Sequence, residues 1–292
     1  MNKLSSPLPS LLAALPPMLV ADLGNSSLKL GLFDNGIVGP VWRIPNDVLE
    51  GVATPDGALF QRIRNAIGEP AIERCAYSSV LQPDTTDRYL EVLTRRLRLN
   101  TATWASVKPG RHSAVLMGDY PPQQLGADRY ANILASVALR PNTAVAIVDS
   151  GTATTIDWMG ADGTYQGGVI VPGLWTFWQT LHQTTARLPL VPLDWAKDYP
   201  GQSTQSAMQA GLSVGYAGMI KALIEENPLP VAEVILTGGS AERLHAWLTR
   251  APQVAPYGLT VEPHWTLLGI ASGSMAQGQQ PVLVSKPAIM AG

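Results

Sequence analysis

Apolar and polar positions fall along the chain in two blocks of the same design. Met18 to Leu23 is an apolar run closed by the turn Asp22-Leu23-Gly24-Asn25, which predicts a buried strand ending at a polar corner. Leu28 to Phe33 alternates as a second strand, Asp34-Asn35-Gly36 supplies a hairpin turn, and Val38 to Ile44 returns as a third. Ala144 to Val171 repeats the layout, with Asp149-Ser150-Gly151-Thr152 at the first corner and Asp162-Gly163 at the second. Asp149, Gly151, Asp162 and Gly163 each lie 127 residues beyond Asp22, Gly24, Asn35 and Gly36. Four matched turn positions predict a duplicated domain, each copy opening with an antiparallel three-stranded meander. On this spacing the counterpart of Lys29 is Ile156.

The intervening pattern is helical. Asp56 to Ile67 and Asp84 to Leu99 carry apolar residues at helical spacing, with a short strand at Ala71 to Val80 between them. Gly126 to Leu139 reads as a helix stopped by Pro141. Beyond the second meander, helices are expected over Leu174 to Leu188 and Ser203 to Glu225. A strand at Val231 to Thr237 ends in Gly238-Gly239, and another helix starts near Ser240. Strands and helices mixed within each half predict an α/β fold with mixed sheets. The expected organisation is a leading segment 1–17, a first domain 18–140, a second 141–275 and a tail 276–292.

Composition narrows the function. Lys+Arg 20 against Asp+Glu 22 leaves a net charge of −2, so a nucleic-acid-binding role is not expected. A single cysteine, Cys75, excludes internal disulfides and multi-thiolate zinc sites, and the four histidines lack zinc-hydrolase spacing. No run approaches the ~20 apolar residues of a membrane span. Lys3 and Leu11 to Leu15 only faintly resemble a signal peptide, and the expected compartment is the cytoplasm. Charged residues are 14% of the chain against 46% hydrophobic, a balance that points to apolar surface buried in an oligomer. Trp175 and Trp178 are expected in core or interface, and Gly211, Gly215 and Gly218 where helices touch closely.

The two corners carry the chemistry. Each sets a carboxylate, Asp22 or Asp149, at a strand end beside small residues such as Gly24, Asn25, Ser26, Gly151, Thr152 and Thr154, where phosphate oxygens can approach backbone N–H groups. Two such hairpins across a cleft can hold one nucleotide's phosphates, with Lys29 as a cation and Gly238-Gly239 as a flat seat for adenosine. Duplicated Asp-containing loops also occur in two-lobed aspartic proteases, but the helical content argues against those. No P-loop Gly-Lys-Ser/Thr occurs. Asp128 and Arg129 fall in the first turn of a helix, where anions are favoured. They read either as a cap with a surface ion pair, or as a proton acceptor beside an anion-binding guanidinium.

From about Met18 to about Ser272 the sequence resembles a type III pantothenate kinase, of the actin, heat-shock chaperone and sugar-kinase superfamily. The resemblance is carried by Asp22-x-Gly24-Asn25-Ser26-x-x-Lys29, Gly126-Ala127-Asp128-Arg129, Asp149-x-Gly151-Thr152-Ala153-Thr154-Thr155 and Gly201-x-x-Thr204, with Thr185 to Pro189 and Thr237-Gly238-Gly239 in support. It implies two duplicated actin-like (ribonuclease H-like) domains, a nucleotide cleft between them, a homodimer, and phosphorylation of pantothenate by ATP with Mg²⁺ in the first step of coenzyme A synthesis. By the same resemblance ATP lies on Asp22, Leu23, Gly24, Asn25, Ser26, Ser27, Leu28, Lys29 and Thr152. Pantothenate lies on Tyr120, Gly126, Ala127, Asp128, Arg129 and Thr204. Asp128 is the catalytic base, Arg129 grips a carboxylate in bidentate fashion, and Asp149 holds K⁺ or NH₄⁺. Gln202-Ser203 stands where the family usually has Lys-Asn, and Ser26 where Thr is commoner. The alternatives are a sugar-type kinase of the same superfamily and a non-catalytic pantothenate- or nucleotide-binding regulator.

Overall fold

The computed structural model describes residues 17–51, 57–68, 72, 74–99, 103–110, 115–250 and 257–275. The expected leading segment, apart from Pro17, and the tail 276–292 lie outside the described residues. The first sheet comprises β1 (Met18–Leu23), β2 (Ser27–Asp34), β3 (Ile37–Pro45), β4 (Arg74–Ser79) and β5 (Thr103–Ser106) in the order β3-β2-β1-β4-β5. The second comprises β6 (Val145–Ser150), β7 (Ala153–Met159), β8 (Tyr165–Pro172), β9 (Glu233–Thr237) and β10 (Gly258–Val261) in the order β10-β9-β6-β7-β8. Both sheets follow one plan: a meander, then a parallel strand on its first strand and a second parallel strand on that one. The duplication therefore extends from the two corners to whole sheets.

Eight helices are described: α1 (Asn46–Glu50), α2 (Gly57–Ile67), α3 (Pro83–Leu97), α4 (Ala127–Leu139), α5 (Leu174–Thr184), α6 (Thr204–Glu225), α7 (Ala241–Leu248) and α8 (Trp265–Met275). Leu19, Ala21 and Leu23 of β1 pack outward on Phe60, Tyr89 and Leu93 of α2 and α3, while Met18 and Val20 face inward. β6 repeats this, with Ala146 and Val148 against the outer helices and Val145 and Ile147 inward. Both strands are covered on both faces, which is why they read as continuous apolar runs. Between the sheets lie α4 and α8, and α4 is buried nearly all round. Their backbones cross so closely that a Cβ on Gly269 would collide with the Ala131 carbonyl. The last described helix thus returns to the first sheet although it follows the second in sequence.

Three expectations are corrected. α5 stops at Thr184 rather than Leu188, since Thr185 turns to extended backbone and His182 Nδ1 lies 2.8 Å from the Leu188 carbonyl across the turn. A Cβ on Gly211, Gly215 or Gly218 would meet nothing within 4 Å, so among the described residues no helix is packed closely on these glycines. Asp22 pairs with Lys29 but Asp149 pairs with Thr155, so the counterpart of Lys29 is Thr155 and not Ile156. The first corner spans one residue more than the second, and the 127-residue spacing holds at the turns but not along the second strands.

Candidate active site

The corners of the two meanders meet across a cleft of about 590 Å³. In the first sheet one register row reads Arg43, Lys29, Asp22, Ser78 across β3, β2, β1 and β4. Its second-sheet equivalent reads Thr155, Asp149, Thr237 across β7, β6 and β9. Each row lies near its strand ends: Arg43, Lys29, Asp22, Asp149 and Thr155 line the cleft, while Ser78 and Thr237 are buried beside it.

Local hydrogen bonds shape both corners. Asn46, at the start of α1, donates through Nδ2 to the carbonyls of Gly24 (3.1 Å) and Asn25 (2.9 Å), fixing the first corner from outside. At the second, the Thr152 carbonyl accepts from Gly173 N–H (3.1 Å) and from Thr176 Oγ1 (2.9 Å) at the start of α5. Ser26 Oγ and Thr152 Oγ1 lie 2.9 Å apart and join the corners across the cleft. Gly238 closes the third side at φ +88°, where a Cβ would also run into the Asp149 carboxylate, so only glycine fits there.

Three carboxylates, Asp22, Asp128 and Asp149, line this cleft with two cations, Lys29 and Arg43. Burial pushes the Asp22 carboxyl up, opposed by Lys29 and reinforced by Asp149; Lys29 Nζ lies 3.7 Å from Asp22 Oδ2. Asp128 sits in the first turn of α4, where Oδ1 accepts the Arg129 N–H at 2.8 Å. Burial, then the charge of Asp22, raises it to about 6 despite that hydrogen bond. A carboxyl poised there is ionised at neutral pH yet basic enough to accept a proton from an alcohol late in transfer. A Cβ on Gly126 before it would lie 2.6 Å from Asp128 Oδ1 and would turn that carboxylate aside.

Arg129 departs from expectation. It forms no surface ion pair, and its bidentate partner is a residue of this chain: Nε and Nη2 grip the fully buried Asp157, with Nη2 to Oδ1 at 2.6 Å. Burial alone would lower the guanidinium's pKa, but Asp157 holds it above its ordinary value; burial pushes Asp157 up while Arg129 pulls it back. Tyr165 OH completes the cluster, and Tyr120 OH lies 3.5 Å from Nη1.

Asp22, Gly24, Asn25, Ser26, Ser27, Lys29, Asp128, Asp149 and Thr152 all line the cleft. Leu23 and Leu28 are buried core, so only their backbone can serve a ligand. Tyr120, Gly126, Ala127 and Arg129 do not line the cleft: Ala127 and Arg129 are buried, and Tyr120 packs its ring on the Arg129 guanidinium. Thr204 is not brought to the cleft; it lines a separate groove between α5 and α6. It is the first residue of α6, whose N-terminus is closed by a capping box between Ser203 and Ser206. Trp178 is buried as expected, but Trp175 is 48% exposed and borders the cleft rather than the core. Arg43, Asn132 and Asp157 were not singled out by the motifs, and Thr155 closed one of them without being given a role. Asn132, one helical turn after Asp128, donates through Nδ2 to Asp149 Oδ2 at 3.1 Å and is held in turn by Thr266.

The profile described as type III pantothenate kinase matches residues 18–226. The chain belongs to that family. Relatives called type III pantothenate kinase include one from Halorhodospira halophila, 34% identical over 261 residues covering 85% of this chain and 97% of that protein. Another, from Dehalococcoides mccartyi, is 32% identical over 234 residues, covering 78% and 87%. Among solved structures, a Baf family transcriptional activator from Campylobacter jejuni superposes with TM-score 0.55 at 17% identity, covering 89% of this chain and 98% of that one. The activator of 2-hydroxyisocaproyl-CoA dehydratase from Clostridium difficile, with bound ADPNP, gives TM-score 0.51 at 9% identity, covering 94% and 100%. These two likenesses bear on the fold alone. No described helix is long and apolar enough to cross a membrane.

Proposed function

We propose that this type III pantothenate kinase transfers the γ-phosphoryl group of ATP to the primary alcohol of pantothenate in the cleft between residues 18–140 and 141–275, giving ADP and 4′-phosphopantothenate for coenzyme A synthesis. The observation that carries the assignment is Asp128, a half-buried carboxyl that lines the cleft together with the two glycine corners. Phosphoryl transfer needs positioning and charge stabilisation more than covalent chemistry. Asp22 to Lys29 and Thr152 hold the phosphates, and separation of Ser26 from Thr152 lets the chain of phosphates enter. Asp128 orients the pantothenate hydroxyl and takes its proton. Gly126, Ala127, Tyr120 and the Nη1 edge of Arg129 shape the pantothenate end.

Three carboxylates facing a polyanion fit a divalent cation, so Mg²⁺ accompanies ATP, and it supplies charge neutralisation. Asp149 fits a monovalent cation. The Thr155 and Thr237 hydroxyls beside it are buried without hydrogen-bond partners among the described residues, an oxygen donor set suited to K⁺ or NH₄⁺. No group of three or more His, Cys, Asp or Glu side chains among the described residues could hold a metal without such help. Asp149→Asn should leave activity low and indifferent to exchanging potassium for sodium. Equal activity of the unmutated enzyme in both salts removes the cation assignment.

The working unit is a cytoplasmic homodimer. The groove holding Thr204 has a volume of about 670 Å³ and an apolar wall of Phe177, Leu181, Leu188, Met208 and Leu212. A partner seated there brings Thr204 to the other subunit's pantothenate. Loss of one such hydrogen bond costs about 0.5–1.5 kcal/mol, so Thr204→Val should raise the pantothenate KM several-fold and leave the ATP KM unchanged. Sedimentation of a fully active monomer removes this arrangement. The overall assignment is tested by ADP release with pantothenate against hexoses. Release driven by hexose moves the chain to sugar kinases, and binding without release makes it a regulator.

A further inference from the structure

We propose that Arg43 is a second phosphate-binding residue of the cleft, gripping the α/β-phosphate segment of ATP while Lys29 serves the transferred end. The inference rests on the ATP reading above.

Arg43 stands on β3, directly opposite Lys29 in the strand register, so the two cations share one face of the sheet at the cleft. They differ in commitment. Lys29 is drawn toward Asp22, one strand further in. Arg43 is exposed, and its Nε–H donates to Ser27 Oγ at 2.8 Å, which fixes the plane of the guanidinium. Its Nη1 points away from that bond toward the second domain, where a Cβ placed on Gly239 would lie 3.6 Å from it. The guanidinium therefore spans from the first phosphate corner to the glycine turn expected to seat adenosine. A phosphate chain running between those two turns passes it.

A planar fork held in this way suits phosphate oxygens, whereas a lysine would present a point charge. The wall also carries three carboxylates, so a polyanion needs each available cation to approach. Because β3 is the edge strand of the first sheet, Arg43 can follow the phosphates without disturbing the core.

The test uses the full-length enzyme with Arg43→Ala and Arg43→Lys, measuring ATP and ADP binding by calorimetry and steady-state kinetics for both substrates. Arg43→Ala should weaken ATP and ADP binding and raise the ATP KM about tenfold, and at least threefold. The pantothenate KM and the kcat at saturating ATP should stay within about twofold. Arg43→Lys should recover part of the loss. An ATP KM changed by less than threefold overturns the proposal. So does a parallel change in kcat and both KM values, which marks a structural role. Wild-type enzyme that binds no ATP sinks the ATP reading and this inference together, an outcome distinct from a variant indistinguishable from an active wild type.

Discussion

Asp128→Asn should lower turnover by about 10²–10⁴-fold while ATP and pantothenate binding stay within about tenfold. The amide keeps the shape of the carboxylate and can still accept the Arg129 N–H, so the first turn of α4 should hold. It cannot take the hydroxyl proton. In the unmutated enzyme kcat/KM for pantothenate should rise with pH through a midpoint near 6, because only the ionised form is a base. The same group works against the fold. Its carboxyl rises from 3.8 unfolded to about 6 folded, so folding favours the protonated form. Its contribution is fullest below pH 4 and is lost as pH rises through 6. At pH 8 the neutral variant should therefore be the more stable protein, by on the order of 2 kcal/mol. Chemical denaturation at pH 4 and 8 with parallel rate measurements tests both halves. A variant keeping more than a tenth of wild-type turnover would show that Asp128 is not the base.

Asp157→Ala should be the most damaging single change to stability, at about 3–5 kcal/mol. It removes the fully buried acceptor of both Arg129 nitrogens and of Tyr165 OH, leaving a buried guanidinium without its counter-charge. Arg129 follows Asp128 on α4, so the loss should also displace the base and depress kcat. Removing both charges is gentler, since a buried ion pair replaced by apolar groups is often close to neutral. Arg129→Met combined with Asp157→Leu should thus recover most of the stability lost by Asp157→Ala, although not the activity. If the double variant loses as much as the two single variants summed, the residues are not coupled. Urea midpoints of the wild type, Arg129→Met, Asp157→Leu and the double variant close this cycle.

Binary pattern and turn chemistry alone determined much of this protein. The apolar runs from Met18 and from Ala144 read as buried strands, and the matched glycine turns predicted two antiparallel meanders, both found. The corners that face the cleft were legible because small and acidic residues there interrupt apolar strands. The four-residue strands β5 and β10 were not legible, being too short for a period, and their place comes from parallel pairing with β4 and β9. A different limit hid α8: lying between the two sheets, it has no charged face to set an amphipathic period.

Register was decided by tertiary structure. Asp34 pairs with Ile37 around the turn, and counting back along an unbroken hairpin would set Lys29 opposite Trp42. An irregularity between Gly31 and Phe33 shifts the pairing by one, so Arg43 lies opposite Lys29 instead. Such a shift turns a side chain to the other face of the sheet, and no local pattern announces it. The partner of Arg129 was hidden for a related reason. Arg129 and Asp157 are 28 residues apart and meet only when α4 is laid across β7, so a motif that names the arginine cannot name the carboxylate that holds it.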